Sequence, residues 1–183
     1  MALDLIKEIS SNRFLLIMME ESEYVQRMEE IMNSVEKTKT KICYVCLSKP
    51  VSDVREELSK QGFNLSDFFF IDVLTSHYHD PEPCKDCFFV SSPRDLAAIR
   101  VAIKDAVDKN SCSVILFDTI STLLIYQQTS SVINFTHSIM SDDTKENVKK
   151  LFILLKQDTI PSEENEMLMK DLGMFADKTI NFR

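Results

Sequence analysis

Short, unbroken apolar runs alternate along this chain with amphipathic stretches of helical spacing, and that alternation limits the fold more than any other feature. Arg13-Phe14-Leu15-Leu16-Ile17-Met18-Met19 reads as a buried strand. Glu20-Glu21-Ser22-Glu23 ends it and opens a helix whose inward stripe is Tyr24, Val25, Met28, Ile31, Met32 and Val35. Lys41-Ile42-Cys43-Tyr44-Val45-Cys46-Leu47 is apolar throughout, the signature of a parallel strand covered on both faces. Pro50 opens a second helix with Val51, Val54 and Leu58 inward, and Gly62 closes it. Phe68 to Leu74 reads as a third strand with Asp72 inside it, and Phe88-Phe89-Val90 as a short one beyond a polar excursion from Thr75 to Cys87.

Farther on, Ser92 is the expected cap and Pro93 the first turn of a helix that buries Leu96, Ile99, Ile103, Ala106 and Val107. Ser113 to Asp118 is a strongly apolar strand, and a helix is expected over 130–140. Leu151 to Leu155 is another strand, Met167, Leu168 and Leu172 lie on a last helix, and Thr179 to Phe182 is a terminal strand. Strands alternating with helices imply βαβ crossovers and a mostly parallel sheet within one domain spanning 1–183. Functional side chains are then expected at the carboxyl ends of strands: Glu20-Glu21, Ser48-Lys49, Thr75-Ser76, Asp118-Thr119 and Lys156-Gln157.

The formal net charge of -8 disfavours broad contact with phosphate backbones, so no nucleic-acid partner is expected. Lys37, Lys39 and Lys41 form a basic cluster that reads as a solvated turn. Charges come too early at the start for a signal peptide, and no apolar run reaches the ~20 residues of a membrane span. A cytoplasmic protein off the membrane is the expectation, and its five cysteines then read as thiols rather than a disulfide framework.

Val114-Ile115-Leu116-Phe117-Asp118-Thr119-Ile120-Ser121-Thr122-Leu123-Leu124 resembles the Walker B region of RecA/KaiC-like ATPases. The resemblance continues through Phe135-Thr136-His137-Ser138, the strand ending at Gln157, and Cys87 to Pro93 before a helix. It is similar to a diverged archaeal branch of that family and covers nearly the whole chain. The fold it implies is a RecA-like three-layer α/β/α sandwich. The family's P-loop, however, needs two glycines five positions apart, then Lys and Ser or Thr, so that backbone N–H groups can close around phosphates. This chain has only Gly62 and Gly173, neither followed by Lys, and carries Glu20, Glu21 and Glu23 where the loop would lie. Ser48-Lys49 stands where the family places a catalytic Glu. Bound ATP is therefore not expected. Asp118 is the Walker B remnant, either a relic that caps or orients the following helix or hydrogen-bonds to neighbouring backbone, or a live residue holding Mg²⁺ without a phosphate cradle.

One other stretch is chemically loaded. Cys84 and Cys87 have the spacing that can pinch one zinc ion, with His77 or His79 to complete a tetrahedral set; two free thiols in a polar loop, or a redox pair, are the other readings. A phospho-acceptor receiver arrangement is weighed through Asp72 and set aside, since Val73 and Leu74 follow it and place it inside the expected strand. His137 lies mid-helix and reads as a surface or satisfied histidine. The reading that follows is a non-catalytic regulatory or scaffold protein, acting through a protein partner or self-association. The competing readings are a nucleotide binder or ATPase-related enzyme with a non-P-loop site near Asp118, Ser48 and Lys156, and a zinc-stabilised binding module.

Overall fold

The computed structural model describes residues 4–142, 147–156 and 162–182. Seven strands are described: β1 (Phe14–Glu20), β2 (Ile42–Cys46), β3 (Phe68–Asp72), β4 (Cys87–Phe89), β5 (Val114–Asp118), β6 (Lys149–Lys156) and β7 (Lys178–Asn181). They form one sheet in the order β4-β3-β2-β5-β6-β1-β7. Every neighbouring pair runs parallel, so all strand carboxyl ends emerge along one edge.

Helices cover both faces. On one side lie α1 (Leu5–Ser11), α2 (Tyr24–Glu36) and α3 (Val51–Lys60), whose Ile9, Met28, Ile31, Met32, Val54 and Leu58 pack on Leu15, Ile17, Tyr44 and Leu116. On the other lie α5 (Leu96–Lys109), α6 (Thr129–Met140) and α7 (Ser162–Phe175), packing Ile99, Ala106, Phe135 and Leu172 on Leu16, Val45, Phe117 and Phe152. A one-turn helix α4 (Thr75–Tyr78) follows β3. Successive residues of β1 alternate between the two cores, so a strand buried on both faces must be apolar throughout. The result is the three-layer α/β/α sandwich that the resemblance implies, around the parallel sheet expected from the alternation of runs.

Several expectations are corrected. Val25 points outward, 67 % exposed, because the buried stripe of α2 is carried by Met28, Ile31, Met32 and Val35. β3 ends at Asp72 rather than at Leu74, because that carboxylate bonds the N–H groups of Leu74 and Thr75 and turns the chain. The helix expected from Ser92 begins only at Leu96. Its cap is Asp95, which accepts from Ala98 N at 2.9 Å, while Ser92 Oγ accepts from Arg94 N in a preceding turn. α1 and a 3₁₀ segment from Ile120 to Ile125 had no counterpart in the sequence reading. Gly62, at φ +86°, does close α3: its N–H reaches Ser59 O, and Phe63 N reaches Leu58 O, both at 3.0 Å.

Candidate functional site

Asp118 ends β5 on the α2/α3 side of the sheet and is 1 % exposed. Tyr24 opens α2 and donates its hydroxyl to Asp118 Oδ2 at 2.5 Å. Tyr44, pointing to the same face from β2, donates to the same oxygen. The other carboxylate oxygen, Oδ1, is buried without a hydrogen-bond partner. Burial is the main force raising the Asp118 carboxyl above the ordinary range; the two tyrosine hydroxyls and the charge of Lys49 oppose it. Both phenols are pushed upward, first by burial and then by the carboxylate beside them. At physiological pH, then, the tyrosines are neutral donors aimed at one acid.

The backbone of Asp118 is equally committed. Its carbonyl accepts from Leu47 N at 2.9 Å, from Ser48 N at 3.1 Å and from Ser48 Oγ at 3.3 Å. Asp118 thus neither caps a helix with its side chain nor opens to solvent. Lys49 lies with Nζ 5.1 Å from the Tyr24 ring centroid and pairs with Glu57 of α3 at 2.7 Å. Above the tyrosines, α2 and α3 leave a groove of ≈ 190 Å³ lined in part by Tyr24, Met28, Tyr44, Val54 and Leu58.

The remaining strand ends are tied up separately. Lys156 Nζ pairs with Glu20 across the β1–β6 boundary at 3.2 Å. Glu23 pairs with Arg27 at 3.0 Å within α2. Ser48 therefore bonds the Asp118 carbonyl, while Lys156 is paired away from both with Glu20. Gln157 lies outside the described residues.

Asp72 is a strand-end carboxylate of another kind. It is wholly buried, yet both oxygens are used: Oδ1 accepts from Leu74 N and Thr75 N at 2.7 and 2.8 Å, Oδ2 from Val51 N and Thr75 Oγ1 at 2.7 and 2.6 Å. A receiver's acceptor carboxylate must meet an incoming phosphoryl group, and this one is enclosed by its own loop.

The four candidate zinc ligands do not come together. Among the described residues, no three His, Cys, Asp or Glu side chains are placed to hold a metal ion. His77 is exposed and stacks edge-on against Tyr78, and His79 is exposed at the end of α4. Cys84 is exposed and its thiol donates to Asp86 at 2.7 Å, while Cys87 is buried at the start of β4. Burial pushes the Cys87 thiol up to about 12. His137 is satisfied: Nε2 lies 2.7 Å from Asp171 Oδ2.

Tyr24 and Tyr44 are the functional-looking residues that sequence reasoning missed, having been assigned to apolar stripes. One signal was present. A tyrosine inside the run Ile42-Cys43-Tyr44-Val45-Cys46 brings a hydroxyl that a buried site must bond. Which acid would receive it was not legible.

No family model and no curated protein matches this chain. Among solved structures it is similar to a KaiC-like protein from the hyperthermophilic archaeon Pyrococcus horikoshii OT3, with a TM-score of 0.63 over 93% of this chain and 72% of that one. The sequences are 10% identical, so the likeness is one of fold.

Proposed function

We propose that this chain, built on the fold it shares with a KaiC-like protein, is a non-catalytic regulatory or scaffold protein that acts through protein contacts. One observation carries the reading: the acid at the end of β5 is closed beneath Tyr24 and Tyr44. In a P-loop ATPase the acid at this strand end helps to hold Mg²⁺ beside the nucleotide. Here both tyrosine hydroxyls occupy Asp118 Oδ2 and the unpartnered Oδ1 is buried, so a metal must first open the site, at about 1.5–3 kcal/mol for each hydrogen bond to the carboxylate that is lost. No phosphate cradle is at hand to offset that cost. The connection from β1 to α2 presents Glu20, Glu21 and Glu23 and contains no glycine. Carboxylates at that junction repel a triphosphate instead of enclosing it.

Protein contact is the remaining use of such a scaffold. α7 exposes Met167, Met174 and Phe175 at 56, 67 and 53 %, apolar surface of the sort that contacts use. The direct test is isothermal titration of the full chain with Mg-ATP. No heat of binding is expected up to millimolar nucleotide, and micromolar affinity overturns the proposal. Gel filtration with light scattering then distinguishes self-association from a separate partner.

A further inference from the structure

Cys84 and Cys87 are set into the edge of the sheet in a way that neither the RecA-like fold nor the proposed role requires. Residues Cys84, Lys85, Asp86 and Cys87 form a tight turn, and Cys84 and Cys87 face each other across it as antiparallel bridge partners. Such partners have Cα atoms about 4.5–5.5 Å apart, within the roughly 4.4–6.8 Å that a disulfide spans. The turn is anchored on both sides: Phe70 N donates to Asp86 O at 2.8 Å, and Cys87 begins the pairing of β4 with β3.

The two thiols are unequal. Cys43, Cys46, Cys87 and Cys112 are buried, and Cys84 alone of the five cysteines is exposed. A fixed cation attends that thiol. Arg55 of α3 lies over the Phe70 ring at 5.0 Å, pairs with Asp86 at 2.7 Å and places Nη2 3.5 Å from Cys84 Sγ.

We propose that Cys84 and Cys87 form a thiol–disulfide exchange site, with Cys84 as the attacking thiol and Cys87 as the resolving one, for small aliphatic disulfides. The Cys84 thiolate, its proton released to water, attacks one sulfur of a disulfide RSSR. A mixed Cys84–SR disulfide forms and RS⁻ leaves. The Cys87 thiol, losing its proton to water, attacks Cys84 Sγ and expels the second RS⁻. Both leaving thiolates take up protons. The two protein thiols thus give up two electrons, and one RSSR becomes two RSH. Cys87 need only reach across its own turn, so the second step is intramolecular.

The test uses the full reduced chain, treated with a chelator and then with glutathione disulfide, and read by intact mass. The wild type is expected to lose two hydrogens and retain no glutathione. Cys87→Ser is expected to keep one glutathionyl group on Cys84, and Cys84→Ser to remain unmodified over the same interval. Independently of any variant's folding, iodoacetamide on the native wild type is expected to label Cys84 at least about tenfold faster than any other cysteine. A stable glutathione adduct on the wild type, a disulfide mapped to another pair, or another cysteine labelling first would each overturn the assignment.

Discussion

Two buried aspartates end the strands on either side of β2, and they are satisfied in opposite ways. Asp72 at the end of β3 is bonded by its own surroundings: Leu74 and Thr75 lie two and three residues away, and Val51 opens the adjacent helix. All four of its contacts come from N–H or hydroxyl donors, and neither oxygen is wasted. Asp118 at the end of β5 receives its side-chain bonds from Tyr24 and Tyr44, 94 and 74 residues away, and both land on one oxygen. Its other oxygen is bare. The first carboxylate organises a loop. The second is held by the assembled tertiary structure, with one oxygen left unpartnered.

The sharpest way to break this contrast is Asp72→Ala. It strands the buried N–H groups of Val51 and Leu74 and the part-buried N–H of Thr75, at about 1–3 kcal/mol per buried donor. A loss of about 4 kcal/mol or more is expected in urea unfolding, and a loss below about 1 kcal/mol refutes the anchoring role. Tyr44→Phe comes next. It removes one of two bonds to Asp118 at a buried site and is expected to cost about 1.5–3 kcal/mol. Tyr24→Phe, at a part-buried position, should cost less.

Asp118→Asn sharpens the comparison through pH. The folded carboxyl is raised, so the folded state holds its proton more tightly than the unfolded chain does. The stabilisation from that proton is complete below the unfolded value of about 3.9 and is lost as pH climbs through the raised folded value. Asp118→Asn, having no proton to lose, should therefore gain stability relative to wild type between acid and neutral pH. Parallel urea titrations at both pH values check this, and a constant difference rules it out. The tyrosines give a matching signal in alkali. Their raised phenols add stability below about pH 10 that is lost above it, so tyrosinate absorbance from Tyr24 and Tyr44 should appear only as the protein unfolds. The smallest effect is expected from Lys156→Ala. Its partly exposed pair with Glu20 is worth about 0–1 kcal/mol, and a larger loss would mean that this strand end does more than the geometry indicates.

Legibility followed the range of the interactions. The apolar run of β5 and its closing acid were plain in the sequence, as were the buried stripes of α3 and α5. Val25 is misplaced because helical spacing alone does not say how far a covered stripe extends; the buried hydrophobic positions of α2 run only from Met28 to Val35. Asp72 was misread as mid-strand because Val73 and Leu74 are buried without pairing in β3, and burial and pairing look alike in a hydropathy pattern. His77 and His79 share a loop with Cys84 and Cys87, but proximity in sequence does not aim side chains at a common point, and no three metal-binding side chains gather among the described residues.

By itself, then, the sequence determined the parallel, helix-covered sheet, because strands buried on both faces must be apolar at every position. It also determined that the β1–α2 junction lacks glycine and carries acids. Only the tertiary structure decided that Tyr24 and Tyr44 meet Asp118, and that Arg55 stands beside Cys84. Those contacts join segments far apart in the chain, and their geometry exists only once β2, β5 and the helices above them have packed.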